Sequence, residues 1–261
     1  MINLFILGLP KAGTTSLHDF LCSHHGIKDT NIKEIHVFNE DYGSIKIEEL
    51  IFHPDTIYTL DSSVSYVYNK EILRKIVAYN PKAKFIFIHR DFVARAKSHY
   101  IMDINKYGLQ DRGIIWYWEH RESFEFYGVK GFGPIDAGRY SLFYEDMKDT
   151  LPTENLLELN FEDLVDNWIQ IRNELSRFLN YELHGSLPRS NEAIHIPFRL
   201  FRFLVSRFPK SWKSSLRHSF FANFFRGGRS RILFSNDDDK LLDELKISEL
   251  QVLKQFKNNE Y

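Results

Sequence analysis

Residues 1–16 read Met-Ile-Asn-Leu-Phe-Ile-Leu-Gly-Leu-Pro-Lys-Ala-Gly-Thr-Thr-Ser, and the rest of the chain is organised around them. Asn3 to Leu7 is an apolar run of strand length. Gly8 to Gly13 is a turn-rich loop holding one lysine, Lys11. Thr14, Thr15 and Ser16 then open a segment, Leu17 to Cys22, in which Leu17, Phe20 and Leu21 recur at helical spacing. Strand, glycine loop and helix start together make an anion cradle. Glycine lets the backbone turn tightly, successive N–H groups converge, and the helix start carries about half a positive charge. An ordinary strand-to-helix turn with a solvated lysine fits the same residues.

The loop departs from the ATP/GTP form, which places its lysine beside the last glycine as Gly-Lys-Ser/Thr and uses the hydroxyl on magnesium. Here Lys11 lies two residues before Gly13, and Thr14 follows that glycine directly. Pro10 to Leu17 resembles, position by position, the Pro-Lys-x-Gly-Thr-Thr-Ser-Leu loop of sulfotransferases that use 3′-phosphoadenosine-5′-phosphosulfate (PAPS). The resemblance implies that Lys11, Ala12, Gly13, Thr14, Thr15 and Ser16 hold the 5′-phosphosulfate, with Lys11 neutralising charge on the leaving phosphate. It implies no metal, because Lys11 and the helix start supply the positive charge.

Further blocks follow in order. Lys33-Glu34-Ile35-His36-Val37-Phe38 reads by composition as an extended or loop segment. It is similar to the Lys-Glu-x-His-Phe-Phe stretch of carbohydrate-type sulfotransferases, with Val37 in place of the first aromatic. The resemblance makes Glu34 the general base that takes the acceptor's proton, with His36 as the alternative. Ile57 to Asp61 reads as a second strand, and Ser62-Ser63-Val64-Ser65-Tyr66 follows it. There the resembling families have Lys-Thr/Ser-Pro-Ala-Tyr, so Ser62 and Val64 depart from the pattern while Tyr66 fits.

Lys84 to His89 is a nearly continuous apolar strand of the kind buried on both faces of a parallel sheet. Arg90 stands at its C-terminal end, where α/β sheets bind ligands, and Ser98 lies in the following helix. Arg90 to Tyr100 resembles the family pattern Arg-Asp/Asn-Pro-x-x-Arg-x-x-Ser-x-Tyr, with Phe92 replacing proline. The resemblance assigns Arg90 and Ser98 to the 3′-phosphate, a role that suits a forked guanidinium and a hydroxyl. A metal-dependent NTPase usually carries an aspartate at such a strand end, and this one continues His89-Arg90.

Asn69 to Tyr79 has helical spacing and stops at Asn80-Pro81. Ile114 to Tyr127 is aromatic-rich and reads as helical, its rings as core. A helix is expected from Gly138 through Met147, a strand over Asn155 to Asn160, and an amphipathic helix over Trp168 to Leu179. Glu162 and Asp163 read as charges favouring a helix start. From Ala193 to Asn236 no acidic residue occurs, while Arg199, Arg202, Arg207, Lys210, Lys213 and further basic residues alternate with aromatics. An anionic acceptor, a lipid headgroup surface or a partner protein would each suit it. Gly228 and Arg229, in Arg-Gly-Gly-Arg, are candidates for a second clamp on the 3′-phosphate. Asp237 to Asp239 reads as a helix start before Leu241 to Phe256.

A chain of 261 residues with 43% hydrophobic and 15% aromatic residues is globular, and a net charge of −1 gives no general pull toward nucleic acid. One cysteine, Cys22, excludes an internal disulfide, suits a reducing, cytoplasmic setting, and reads as a core residue of the first helix. No signal peptide or spanning segment of about 18 apolar residues is expected. The expectation is one α/β domain over residues 1–261: three layers, a parallel sheet of the P-loop nucleotide-binding kind with right-handed crossovers, and a core over about 1–180. Its expected activity is sulfuryl transfer from PAPS to a hydroxyl, in a glycan or glycolipid for instance, with 3′-phosphoadenosine-5′-phosphate (PAP) as product. A phosphotransferase using ATP or GTP stays open, as does a non-catalytic nucleotide-pocket protein that meets a membrane or partner through residues 193–236.

Overall fold

The computed structural model describes residues 1–39, 46–107, 110–126, 129–130, 132–188, 232 and 234–258. Gly228, Arg229 and nearly all of the basic aromatic segment lie outside the described residues.

β1 (Leu4–Ile6) leads into α1 (Thr14–Cys22) and β2 (Ile27–Asp29), and β3 (Tyr58–Asp61) into α2 (Lys70–Tyr79) and β4 (Lys84–His89). α3 (Phe92–Met102), α4 (Ile114–Glu119) and the short ribbon of β5 (Glu125–Phe126) and β6 (Val129–Lys130) come next. The chain continues through α5 (Tyr144–Thr150), β7 (Leu156–Asn160), α6 (Phe161–Asp166) and α7 (Trp168–Leu179), and α8 (Asn236–Asn258) is the last described helix. The main sheet has the order β2-β3-β1-β4-β7 with every neighbouring pair parallel.

The expected α/β architecture with a central parallel sheet is what forms. Register sets Phe5 opposite Phe85 and Phe87 opposite Glu158, which puts these side chains on one face. The rings of Phe5 and Phe85 stack at 5.5 Å, and Phe87 meets Phe143 and Tyr144 of the α5 region. Lys70, at the start of α2, pairs with Asp146 of α5 at 2.6 Å. α1 and α7 are joined edge to face through Phe20 and Trp168, 4.5 Å between centroids. Because all five strands run the same way, the loops after β1, β3, β4 and β7 emerge along one edge. The chain leaves β1 toward β2 on one side and leaves β4 toward β7 on the other, so a crevice opens between the ends of β1 and β4.

Three sequence expectations needed correction. Ile57, read as the first residue of the second strand, is exposed just outside β3, which begins at Tyr58. The aromatic helix ends at Glu119 and gives way to a 3₁₀ turn and β5. The helix expected from Gly138 is two 3₁₀ turns, Asp136–Gly138 and Tyr140–Leu142, before α5. The physical reason is Arg95 of α3. Its guanidinium is fully buried and donates to the carbonyls of Pro134 and Ile135, bending that segment around itself. A Cβ at Gly138 would lie 2.3 Å from Arg95 Nε, so only glycine fits.

The packed core also extends past residue 180. Leu242 of α8 is fully buried with Phe92, Tyr100, Ile114 and Tyr117 in a second apolar cluster. Asp238 accepts from the Ile115 N–H at 3.0 Å, and Glu249 accepts from Ser141 N–H and Oγ–H at 2.8 and 2.9 Å. No described helix is long and apolar enough to cross a membrane.

Candidate active site

The crevice between β1 and β4 collects the two motifs separated most widely in sequence. Gly13 adopts φ 81°, a left-handed conformation that costs glycine little, and a Cβ there would come within 2.8 Å of Phe161 Cδ2. α1 starts at this residue without a side-chain cap, whereas α2 and α3 are capped by Asn69 and Asp91. Its first N–H groups, at Thr14, Thr15 and Ser16, therefore lie at the loop as the cradle requires. Ala12 is buried beneath the loop. Lys11 also has positive φ, 72°, and among its contacts is Met102 Sδ, 3.7 Å from Nζ. Ser98 lies one helical turn before Met102 on the same face of α3, so the Lys11 side chain reaches along the face that carries Ser98.

Arg90 donates from Nη1 to the main-chain carbonyl of Lys11. Its guanidinium lies over the ring of Phe161, 4.2 Å from the centroid, and its Nε is buried with no hydrogen-bond partner among the described residues. Burial lowers the Arg90 pKa, while Glu162 and Asp91 oppose that shift. Asp91 caps α3 by accepting from Ala94 N–H at 2.9 Å and is paired with Lys246 of α8. Phe92, standing where the resembling family has proline, fills the second core. Glu162 does more than favour a helix start, because Oε1 accepts from Asp91 N–H at 3.2 Å. Phe161, both the wall against Gly13 and the plate under Arg90, was not picked out from sequence.

Glu34 belongs to the same edge. Ser62 N–H donates to Lys33 O at 3.0 Å, and His36 N–H donates to Ser63 Oγ at 2.9 Å, so the Lys33–His36 segment is tied to the C-terminal end of β3. The Glu34 carboxylate is 2.7 Å from Lys33 Nζ and 3.7 Å from His36 Nε2. Burial alone would raise its pKa, but the nearby His36 imidazole and the Lys33 ammonium prevail and hold it at about 2. His36 takes φ 55°, and its Nδ1 is 2.8 Å from Ser65 Oγ. Beneath it, fully buried Asp61 accepts from Ser63 N–H and Oγ–H and from the Tyr66 hydroxyl at 2.9 Å. Tyr66, the residue that fits the family pattern, thus anchors the turn that holds the Glu34 segment.

The donor set fits a sulfated adenosine bisphosphate. A partly buried guanidinium, whose buried Nε–H has no partner among the described residues, lies beside an uncapped helix start and a glycine whose Cβ position is closed to any larger residue.

A family model described as "Sulfotransferase domain" matches residues 2–226. Among solved structures, the chain is similar to a sulfotransferase from Alicyclobacillus acidocaldarius, at 20% identity and TM-score 0.62, over 82% of this chain and 99% of that one. It is also similar to a sulfotransferase domain from the curacin biosynthetic pathway, at 14% identity and TM-score 0.52, over 94% and 97% of the two chains. A mouse sulfotransferase solved in complex with PAP matches at 17% identity and TM-score 0.53, over 86% and 88%. A search of curated proteins found no match.

Proposed function

The chain belongs to the sulfotransferase domain family and transfers a sulfuryl group from PAPS, and from that premise we propose which of its residues hold the donor and which one activates the acceptor. The observation that carries the assignment is the hydrogen bond from Arg90 to the Lys11 carbonyl, because it ties the two motifs to one crevice.

PAPS supplies, when bound, the activated sulfuryl group and a bisphosphate leaving group. The Ala12 N–H is spent on the Leu9 carbonyl at 3.0 Å, which closes the loop, so the N–H groups from Gly13 to Ser16, with the hydroxyls of Thr14 and Thr15, hold the 5′ end. Lys11 sets its ammonium against the charge that grows there. Arg90 and Ser98 hold the 3′-phosphate, the first as a fork backed by Phe161, the second as an added donor. Glu34 takes the proton of the acceptor hydroxyl. Held ionised by Lys33 and His36, it is ready to accept at any ordinary pH but is a weak base, so the proton moves late, as the hydroxyl oxygen acidifies on bonding to sulfur. Catalysis is then mostly positioning and electrostatics.

The acceptor is a hydroxyl, and the Lys33-Glu34-x-His36 block favours a carbohydrate, in a glycan or glycolipid. Gly228 and Arg229 remain proposals for a second 3′-phosphate clamp. The test is calorimetry with PAP on wild-type, Lys11→Ala and Arg90→Ala proteins, followed by radiolabelled sulfate transfer to a panel of glycans, glycolipids, alcohols and phenols. Loss of PAP affinity in Arg90→Ala and transfer to a sugar are expected. PAP affinity unchanged in both variants would overturn the donor assignment, and transfer to phenols alone would overturn the acceptor.

A further inference from the structure

On the second turn of α1, facing away from the donor loop toward β2, three ligand-type side chains meet. His18, Cys22 and Asp29 place one donor atom each within 4.8 Å of the others. His18 Nε2 is 3.2 Å from Asp29 Oδ2 and 3.8 Å from Cys22 Sγ. Tetrahedral zinc bonds of about 2.0 Å to nitrogen or oxygen and 2.3 Å to sulfur put ligand atoms roughly 3.3–3.6 Å apart, so two of the three edges are already near length. Cys22, expected as a core residue, is partly buried at the edge of the core, its Sγ 3.8 Å from His18 Nε2.

Two further contacts orient the donors. His18 is almost fully buried, and its Nδ1 is 2.8 Å from Ser62 Oγ. When Nδ1–H donates to that hydroxyl, the Nε2 lone pair is presented to Asp29 and Cys22, an array of acceptors that a cation completes. Asp29 Oδ1 accepts from Asn31 N–H at 3.0 Å, which leaves Oδ2 turned toward His18. His18 and Asp29 therefore have the outer partners that metal sites use. The charges also balance, since a thiolate and a carboxylate together neutralise a divalent cation.

We infer that His18, Cys22 and Asp29 form a binding site for a borderline divalent cation such as Zn(II), with a water in the fourth position, separate from the sulfuryl-transfer crevice. On binding, the Sγ–H bond of Cys22 breaks, its proton leaves to solvent, and a metal–sulfur bond takes its place. The cation joins α1 to β2 and, through Ser62, to the end of β3, whose N–H supports Lys33.

Because Cys22 is the only cysteine, a metal–thiolate signal can arise nowhere else in the chain. The experiment is titration of chelator-treated full-length protein with Co(II), read as thiolate-to-metal charge transfer, followed by displacement with Zn(II). One equivalent of Co(II) is expected to develop the band and Zn(II) to remove it. Cys22→Ser should abolish the band, and Asp29→Asn and Ser62→Ala should each weaken affinity by about tenfold or more. Circular dichroism on each variant confirms that it is folded, and the two mild substitutions keep the test open if His18→Gln is not. Absence of the band at saturating Co(II), or a band whose affinity is unchanged in both Asp29→Asn and Ser62→Ala, overturns the site.

Discussion

The guanidinium of Arg90 donates to the main-chain carbonyl of Lys11, across 79 positions of sequence. One residue closes the end of β4 and the other forms the loop after β1, so the bond sits over the crevice between the two central strands. The same guanidinium lies on Phe161 at 4.2 Å. A lysine at position 90 would keep the charge but lose both the fork and the flat stacking surface. Arg90→Lys is therefore expected to raise the PAPS KM by about tenfold or more while changing kcat by less than about threefold. Steady-state kinetics checks this, and an unchanged KM would remove Arg90 from the donor site.

Lys11 differs from Arg90 in what its loss should change. Its ammonium is placed where charge builds during transfer, so Lys11→Ala is expected to lower kcat by about two orders of magnitude or more. Position 11 keeps its left-handed backbone in either case, φ 72°, and the side chain that alanine truncates is partly buried, its Nζ 3.7 Å from Met102 Sδ. The melting temperature should be close to that of wild type. Turnover close to that of wild type would sink the assignment.

Gly13 carries two independent demands. Its φ of 81° strains any residue with a Cβ, and that Cβ would press on Phe161 at 2.8 Å. Gly13→Ala is expected to cost roughly 1–3 kcal/mol of stability and to weaken PAP binding, because Phe161 must move and it supports Arg90. Urea unfolding and PAP calorimetry measure the two effects. A drop in stability with PAP affinity intact would separate Phe161 from the donor site.

Local, self-sufficient patterns were legible in the sequence. β4 is a continuous apolar run, and the edges of α7 coincide with its amphipathic stretch, so both ranges were read without error. The loop and Arg90 could be placed on one edge because parallel strands end together. What escaped depended on partners far along the chain. β2 is three residues long with only Ile27 buried, and it exists because β3 pairs with it. The break of the helix at Gly138 is imposed by Arg95, whose burial no local pattern announces. Asp238 read as a dipole charge, yet it accepts from Ile115 N–H, a bond that only the docking of α8 could reveal.

That docking leads to a stability prediction. Leu242 is fully buried against Phe92, which opens α3, and Tyr100, two residues after Ser98. Leu242→Ala should cost roughly 2–5 kcal/mol, the range for emptying a packed leucine site. Leu250, exposed on the same helix, is the control, and Leu250→Ala should change stability by less than about 0.5 kcal/mol. Equal effects from the two substitutions would show that α8 is not held by this cluster.

The pH behaviour of Glu34 separates the two candidate bases. Burial works to raise its pKa, but the nearby His36 imidazole and the Lys33 ammonium bring it to about 2, below the ordinary 4.5. A lowered folded-state pKa contributes stability that is fully present above the unfolded value and is lost as pH falls from about 4.5 toward 2. Glu34→Gln should make the acid destabilisation curve shallower in that window. Through the neutral range the carboxylate stays ionised, so with Glu34 as base kcat should not fall between about pH 8 and pH 5. Glu34→Gln should cost about 10²–10⁴ in kcat with PAP affinity nearly unchanged, whereas His36→Asn, which removes a neighbour of the base and the contact with Ser65 but leaves the base itself, should cost much less. The opposite pattern, a rate that falls as the pH drops through the neutral range together with a larger loss in His36→Asn, would transfer the role to the imidazole.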